Sequence, residues 1–147
     1  SISRACKMVS NNIIKYLGKK HSYNGINCIT ILASFYKNEL KSDVFDSLFD
    51  TIKKDKKIIN TRKWMKTVSL SDIDRWASTC AKKVTLTTAK NYDVIVFRSL
   101  RGNVPIHFGM YIDYMRMFHL EEGAHSMITN ITNYWSDQVY AVYRQVV

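Results

Sequence analysis

Proline is almost missing from this chain, at one residue in 147, and glycine contributes only five. That leaves little material for a flexible linker, and no internal repeat or low-complexity tract is visible. A single domain over residues 1–147 is expected. No apolar run approaches the roughly 20 residues that cross a bilayer, so no membrane span is expected. The first residues do not read as a signal peptide. Cysteine is scarce as well. Cys6, Cys28 and Cys80 are odd in number and widely spaced, which argues against a disulfide framework and against zinc-finger spacing. A reducing compartment during synthesis is the simplest reading. What the chain does have is apolar material, 46% of residues with 12% aromatic, enough for an ordered core.

Acidic residues are too few to balance the basic ones: 22 Lys and Arg against 12 Asp and Glu, a net charge of +10. Residues 1–68 hold 14 basic against 5 acidic (+9), and residues 69–147 hold 8 against 7 (+1). A basic half suits a polyanion such as nucleic acid, an anionic cell-wall polymer or an acidic protein surface. The lysines form no nucleic-acid-binding signature, however. "KKDKK" at 53–57 sits at an expected helix end, where lysines complement the helix dipole. A solvated basic face is the simpler reading, and nucleic acid is not an expected partner.

The first half of the chain has helical periodicity. Cys6, Val9, Ile13, Ile14 and Leu17 recur at helical spacing between Arg4 and Leu17, with Gly18 to end the helix. A second helix is expected from Asn27, a good N-cap, through Ile29, Ile31, Leu32, Phe35, Tyr36 and Leu40. A third runs from Ser42 to Ile52, and "SLSDIDRWASTCA" gives a fourth, capped by Ser69 or Ser71. The second half reads as five strands: "DVIVFRS", "PIHFGMYI", "MRMFHLE", "HSMITNI" and "QVYAVYRQV". Helices followed by an antiparallel sheet define an α+β domain rather than a βαβ repeat.

Side chains alternate across a strand, so His107, Gly109 and Tyr111 share one face. A turn centred on Asp113 would set His119 directly opposite His107, with Cβ atoms about 4.5 to 5.5 Å apart. One imidazole could then serve as a base while the other fixes its tautomer. Cys28 falls where a loop becomes a helix. A helix N-terminus stabilises a thiolate, and its N–H groups can receive an oxyanion. Cys28, His107 and His119 are thus candidates for nucleophile, base and orienter.

Plainer readings stand beside this one. Cysteine is among the most buried residue types, which is the natural account of Cys6 and Cys80 and an open alternative for Cys28. One cysteine and two histidines could also hold zinc. His125 falls in the loop after the hairpin. Trp64, Trp76 and Trp135 read as core or cleft-wall aromatics, and Met110, Met115 and Met117 as packing residues.

The run "YNGINCITIL", then "NYDVIVF", then "IHFGMYI", then "FHL" resembles the NlpC/P60 group of papain-like cysteine peptidases, closest to the forms in bacteriophage tail tips. The resemblance spans about residues 13 to 145, including "HSMITNITNYWSDQVYAVYR", and rests on the order and spacing of the pieces. It implies a papain-like NlpC/P60 fold, with N-terminal helices packed on an antiparallel sheet of about five strands. It implies Cys28 as nucleophile, His107 as base and His119 as orienter. Tyr23 would be the oxyanion-site or substrate-binding tyrosine, with His21 a rival, and Asp93 would support the sheet. Asn27 stands where Asp is usual, Ile29 and Thr30 replace the residues that usually follow the cysteine, and Tyr92 stands where glycine is usual. Residues 43–88 carry no clear correspondence.

The activity implied is cofactor-free hydrolysis of an amide in the peptidoglycan stem peptide, typically beside D-glutamate or diaminopimelate. The setting implied is a virion tail tip, made in the host cytoplasm, contacting other tail-tip proteins and acting in the periplasm or cell wall. A structural tail-assembly subunit with a vestigial site is the alternative.

Overall fold

The computed structural model describes residues 12–22, 25–52, 65 and 68–146. The expected helix start at Arg4, Cys6, Tyr23, the 53–57 lysines and Trp64 lie outside them. Residues 12–14 are helical, and Gly18 follows at φ +75°, the left-handed backbone that glycine adopts freely.

Three helices follow where capping chemistry places them. Helix α1 (Cys28–Glu39) begins at Asn27, whose side chain accepts from the Ile29 and Thr30 N–H groups, each at 3.0 Å. Thr30 Oγ1 accepts from the Asn27 N–H at 2.9 Å, which closes a reciprocal capping box. Helix α2 (Val44–Ile52) follows Ser42, whose Oγ accepts from the Val44 N–H at 3.3 Å. Helix α3 (Leu70–Cys80) has a capping box of Ser69 and Asp72. Trp76 is fully buried and donates from Nε1 to the Val44 carbonyl at 3.0 Å, tying α3 to α2.

The sheet has six antiparallel strands rather than five: β1 (Ala81–Val84), β2 (Val94–Arg98), β3 (Pro105–Asp113), β4 (Arg116–His119), β5 (Met127–Asn130) and β6 (Val139–Gln145). A short helix, α4 (Asn133–Ser136), precedes β6. The order across the sheet is β1-β6-β2-β3-β4-β5. The additional strand, "AKKV", lies at a sheet edge with Lys82 and Lys83 exposed. Charged edge strands discourage pairing with other chains and carry no hydrophobic alternation, so sequence pattern does not reveal them.

Alternation gives the sheet two faces. Val94, Val96, Phe108, Met110, Phe118 and Ala141 pack against the helices in one buried cluster. Ile95, Phe97, Tyr111, Met117 and Val142 form a second cluster on the other face, with Trp135 packed against it. Tyr92 enters β2 at φ +79°, which explains why a glycine suits that position. Its ring stacks on Phe35 at 5.6 Å and its carbonyl accepts from Tyr36 Oη, contacts that hold the strained backbone. Asp93 is buried and ion-paired with Arg144 of β6 through both carboxylate oxygens, at 3.0 and 2.8 Å. It therefore ties β2 to β6.

The β3–β4 hairpin departs from the expected register. Its turn is Tyr114–Met115, both at positive φ, and an irregularity between Tyr111 and Asp113 shifts the pairing. His119 consequently lies opposite Gly109, not His107. The displacement along β3 is two residues, an even number, so both histidines stay on one face.

Candidate active site

His107 and His119 meet diagonally across β3 and β4. His107 Nε2 and His119 Nδ1 are 2.8 Å apart, and the rings stand nearly perpendicular. Gly109 lies opposite His119 and close under Met117. A Cβ at Gly109 would lie 2.9 Å from Met117 Sδ and 3.7 Å from His119 Cβ. A side chain there would therefore press on Met117 first, with His119 at ordinary contact distance. Trp135 covers them, with ring centroids 5.1 Å from His107 and 5.3 Å from His119. Phe97, opposite His107 in register, stacks on it at 5.7 Å.

Cys28 belongs to the helix-side cluster, yet it reaches the same strand. Strand β4 ends at His119, opposite Gly109, so the first residues of β3 have no β4 partner. There Cys28 comes near the Phe108 backbone N–H, which draws its thiol pKa down against burial. Cys28 thus lies by the backbone of the residue next to His107. Since His107 Nε2 is engaged by His119, Nδ1 is the nitrogen left for the thiol.

The site is closed: Cys28 is 4% exposed, His107 7% and His119 fully buried. Burial penalises every charged form. It pushes the Cys28 thiol up to about 12, against the opposing pull of the Phe108 N–H and the cysteine's own N–H. It lowers His107 to about 3, with the neighbouring His119 adding to the effect, and lowers His119 to about 4. The expected depression of the thiol pKa by the helix N-terminus is therefore outweighed. Burial thus favours a neutral thiol at Cys28 and neutral imidazoles at His107 and His119.

The helix terminus also offers fewer donors than sequence suggests. Asn27 takes the N–H groups of Ile29 and Thr30. The Cys28 N–H lies near its own sulfur and draws the thiol pKa down.

The other candidates separate. His21 donates its backbone N–H to the Ala124 carbonyl at 3.0 Å. Exposed His125 forms a backbone bridge with Lys20. Cys80 is half-buried and directs its thiol to the Trp76 carbonyl, a helix-internal contact. Tyr23 lies outside the described residues. The zinc alternative fits poorly, because the two imidazoles direct nitrogens at each other. Among the described residues, no group of three or more His, Cys, Asp or Glu side chains is placed to hold a metal ion. Sequence reasoning missed Thr129, whose Oγ1 is 2.9 Å from His119 Nε2. A polar residue alternating on the strand after the hairpin was the available signal.

The helices thus lie on one face of an antiparallel sheet, and the helix-start cysteine packs at the strand that carries one of the paired histidines. No family model matches the sequence, and no curated protein does. Solved structures do. An NLP/P60-family, lipoprotein-like protein from Staphylococcus aureus is 15% identical with a TM-score of 0.60, over 98% of this chain and 42% of that one. The NlpC/p60 domain of the peptidoglycan hydrolase SagA is 12% identical with a TM-score of 0.59, over 95% and 97%. An NlpC/P60-family protein from Bacillus cereus is 16% identical with a TM-score of 0.60, over 97% and 40%. The chain therefore has the fold of NlpC/P60 domains, and it spans less than half the length of the two bacterial proteins.

Proposed function

We propose that the protein is a cysteine peptidase that cleaves an amide bond in the stem peptide of bacterial peptidoglycan. The observation that carries this reading is the hydrogen-bonded His107–His119 pair beside the strand position where Cys28 docks. A structural fold has little use for two imidazoles buried against each other. The described fold of a peptidoglycan hydrolase domain supports the substrate class.

In this reading the substrate carbonyl enters beside the Cys28 N–H. His107 Nδ1 takes the thiol proton as sulfur attacks the carbonyl carbon, and the Cys28 N–H stabilises the oxyanion. His107 then gives that proton to the departing amine, leaving a thioester on Cys28. Water, deprotonated by His107, hydrolyses the thioester and restores the thiol. His119 holds His107 in orientation throughout. No cofactor enters the scheme. Excess positive charge on the chain favours approach to an anionic wall, more strongly at low salt. The finer setting in a phage tail tip, among other tail-tip proteins, rests on the order of sequence motifs alone.

Incubating the purified protein with muropeptides and reading the products by mass spectrometry tests the proposal. The expected result is one new amine and carboxyl pair within the stem peptide, abolished by Cys28→Ala. Intact muropeptides with the wild-type protein, or equal cleavage by Cys28→Ala, would contradict it.

A further inference from the structure

The histidine pair does not end at His119. On the same face, Thr129 of β5 is opposite Met117, and Met117 precedes His119 by two residues. His107 likewise precedes Gly109, the partner of His119, by two. Both contacts are therefore diagonal steps across neighbouring strands, and they align into one chain. It runs from His107 Nε2 to His119 Nδ1 at 2.8 Å, then from His119 Nε2 to Thr129 Oγ1 at 2.9 Å.

Each neutral imidazole carries one proton, so the chain has a direction. We propose that Thr129 is a positioning residue that sets the tautomer of both histidines, leaving His107 Nδ1 unprotonated toward Cys28. This rests on the peptidase reading of the site. In the proposed direction the Thr129 hydroxyl, which can donate or accept, accepts from His119 Nε2–H and leaves His119 Nδ1 as an acceptor. His119 Nδ1 in turn accepts from His107 Nε2–H, and His107 Nδ1 becomes the base. Without the hydroxyl, His119 Nε2–H would be buried with no partner, a state proteins avoid. The pair would then reverse. His119 would carry its proton on Nδ1 and donate to His107 Nε2, and the His107 proton would move to Nδ1. A protonated Nδ1 cannot accept the thiol proton. The wrong tautomer in a correctly built site is known to be costly for catalysis.

The test combines Thr129→Val with Thr129→Ser, assayed on muropeptides and by nitrogen-15 NMR of the histidine rings at neutral pH. Wild-type protein should show both rings protonated at Nε2. Thr129→Val should move both to Nδ1–H and lower kcat at least about tenfold with KM unchanged, while Thr129→Ser restores tautomers and rate. Should valine disturb the edge strand, Thr129→Ala is read in the same way. Wild-type tautomers or wild-type kcat in a folded hydroxyl-free variant would overturn the proposal. Failure of the wild-type protein to cleave would count against the peptidase reading instead, and the NMR would still decide the role of Thr129.

Discussion

His107 and Phe108 are neighbours in sequence and belong to opposite faces of the same strand. Phe108 is fully buried among apolar side chains facing the helices. His107 lies among Phe97, Trp135 and a second imidazole. The helix face holds the sheet to the helices through shape and apolar area. The other face holds polar groups in fixed geometry and excludes water from them. Cys28 links the two, because α1 packs on the helix face while its first residue reaches the β3 backbone beyond the end of β4. A single strand can thus serve the apolar core with one side-chain parity and hold a polar pair with the other.

Substituting across that divide should separate the two roles. His107→Ala should lower kcat/KM by about 10²- to 10⁴-fold, the usual worth of a general base, in a muropeptide assay, while costing less stability than the loss of a core aromatic from the helix face. Phe108→Ala should cost about 3–5 kcal/mol in denaturant unfolding, as expected for a buried aromatic. A large stability loss in the first variant would break the comparison.

Acid should affect the histidine face specifically. Both histidines have folded pKa values below the ordinary 6.5. Below 6.5 the unfolded chain binds protons that the folded one refuses, so stability falls as pH drops from about 6.5 toward 4. The slope is at most about 1.4 kcal/mol per pH unit for each histidine. Denaturant titrations from pH 7 to 4.5 should show it, and His107→Gln with His119→Gln should flatten it. A smaller effect is expected from Gly109→Ala, about 1–3 kcal/mol of overpacking against Met117 in denaturant unfolding. Smallest of all is Tyr92→Gly. Relief of left-handed strain and loss of the Phe35 contact oppose each other, so calorimetry should find a net change within about 1 kcal/mol.

The elements with local signals were legible in sequence. Asn27 and Ser69 cap helices as their side chains predict, and the five runs read as strands from Asp93 onward each became one. The pairing of His107 and His119 on one face was also legible, because it depends only on parity. Its geometry was not, since a turn at Tyr114–Met115 without glycine gives no sequence signature. Strand β1 was hidden by its lysines. Thr129 was hidden because its role exists only after three strands are in register. Burial of Cys28 was the least predictable feature, since it depends on how α1 meets the end of β3.

Coupling between Cys28 and His107 is the central claim, and the rate of Cys28 alkylation by iodoacetamide at pH 7 tests it most directly. The comparison is between a Cys6→Ser, Cys80→Ser background and the same protein with His107→Ala. A neutral buried thiol needs a base to react, so removing His107 should slow alkylation at least about tenfold. Equal rates in the two proteins would mean that His107 does not act on Cys28, and the proposed site would fall.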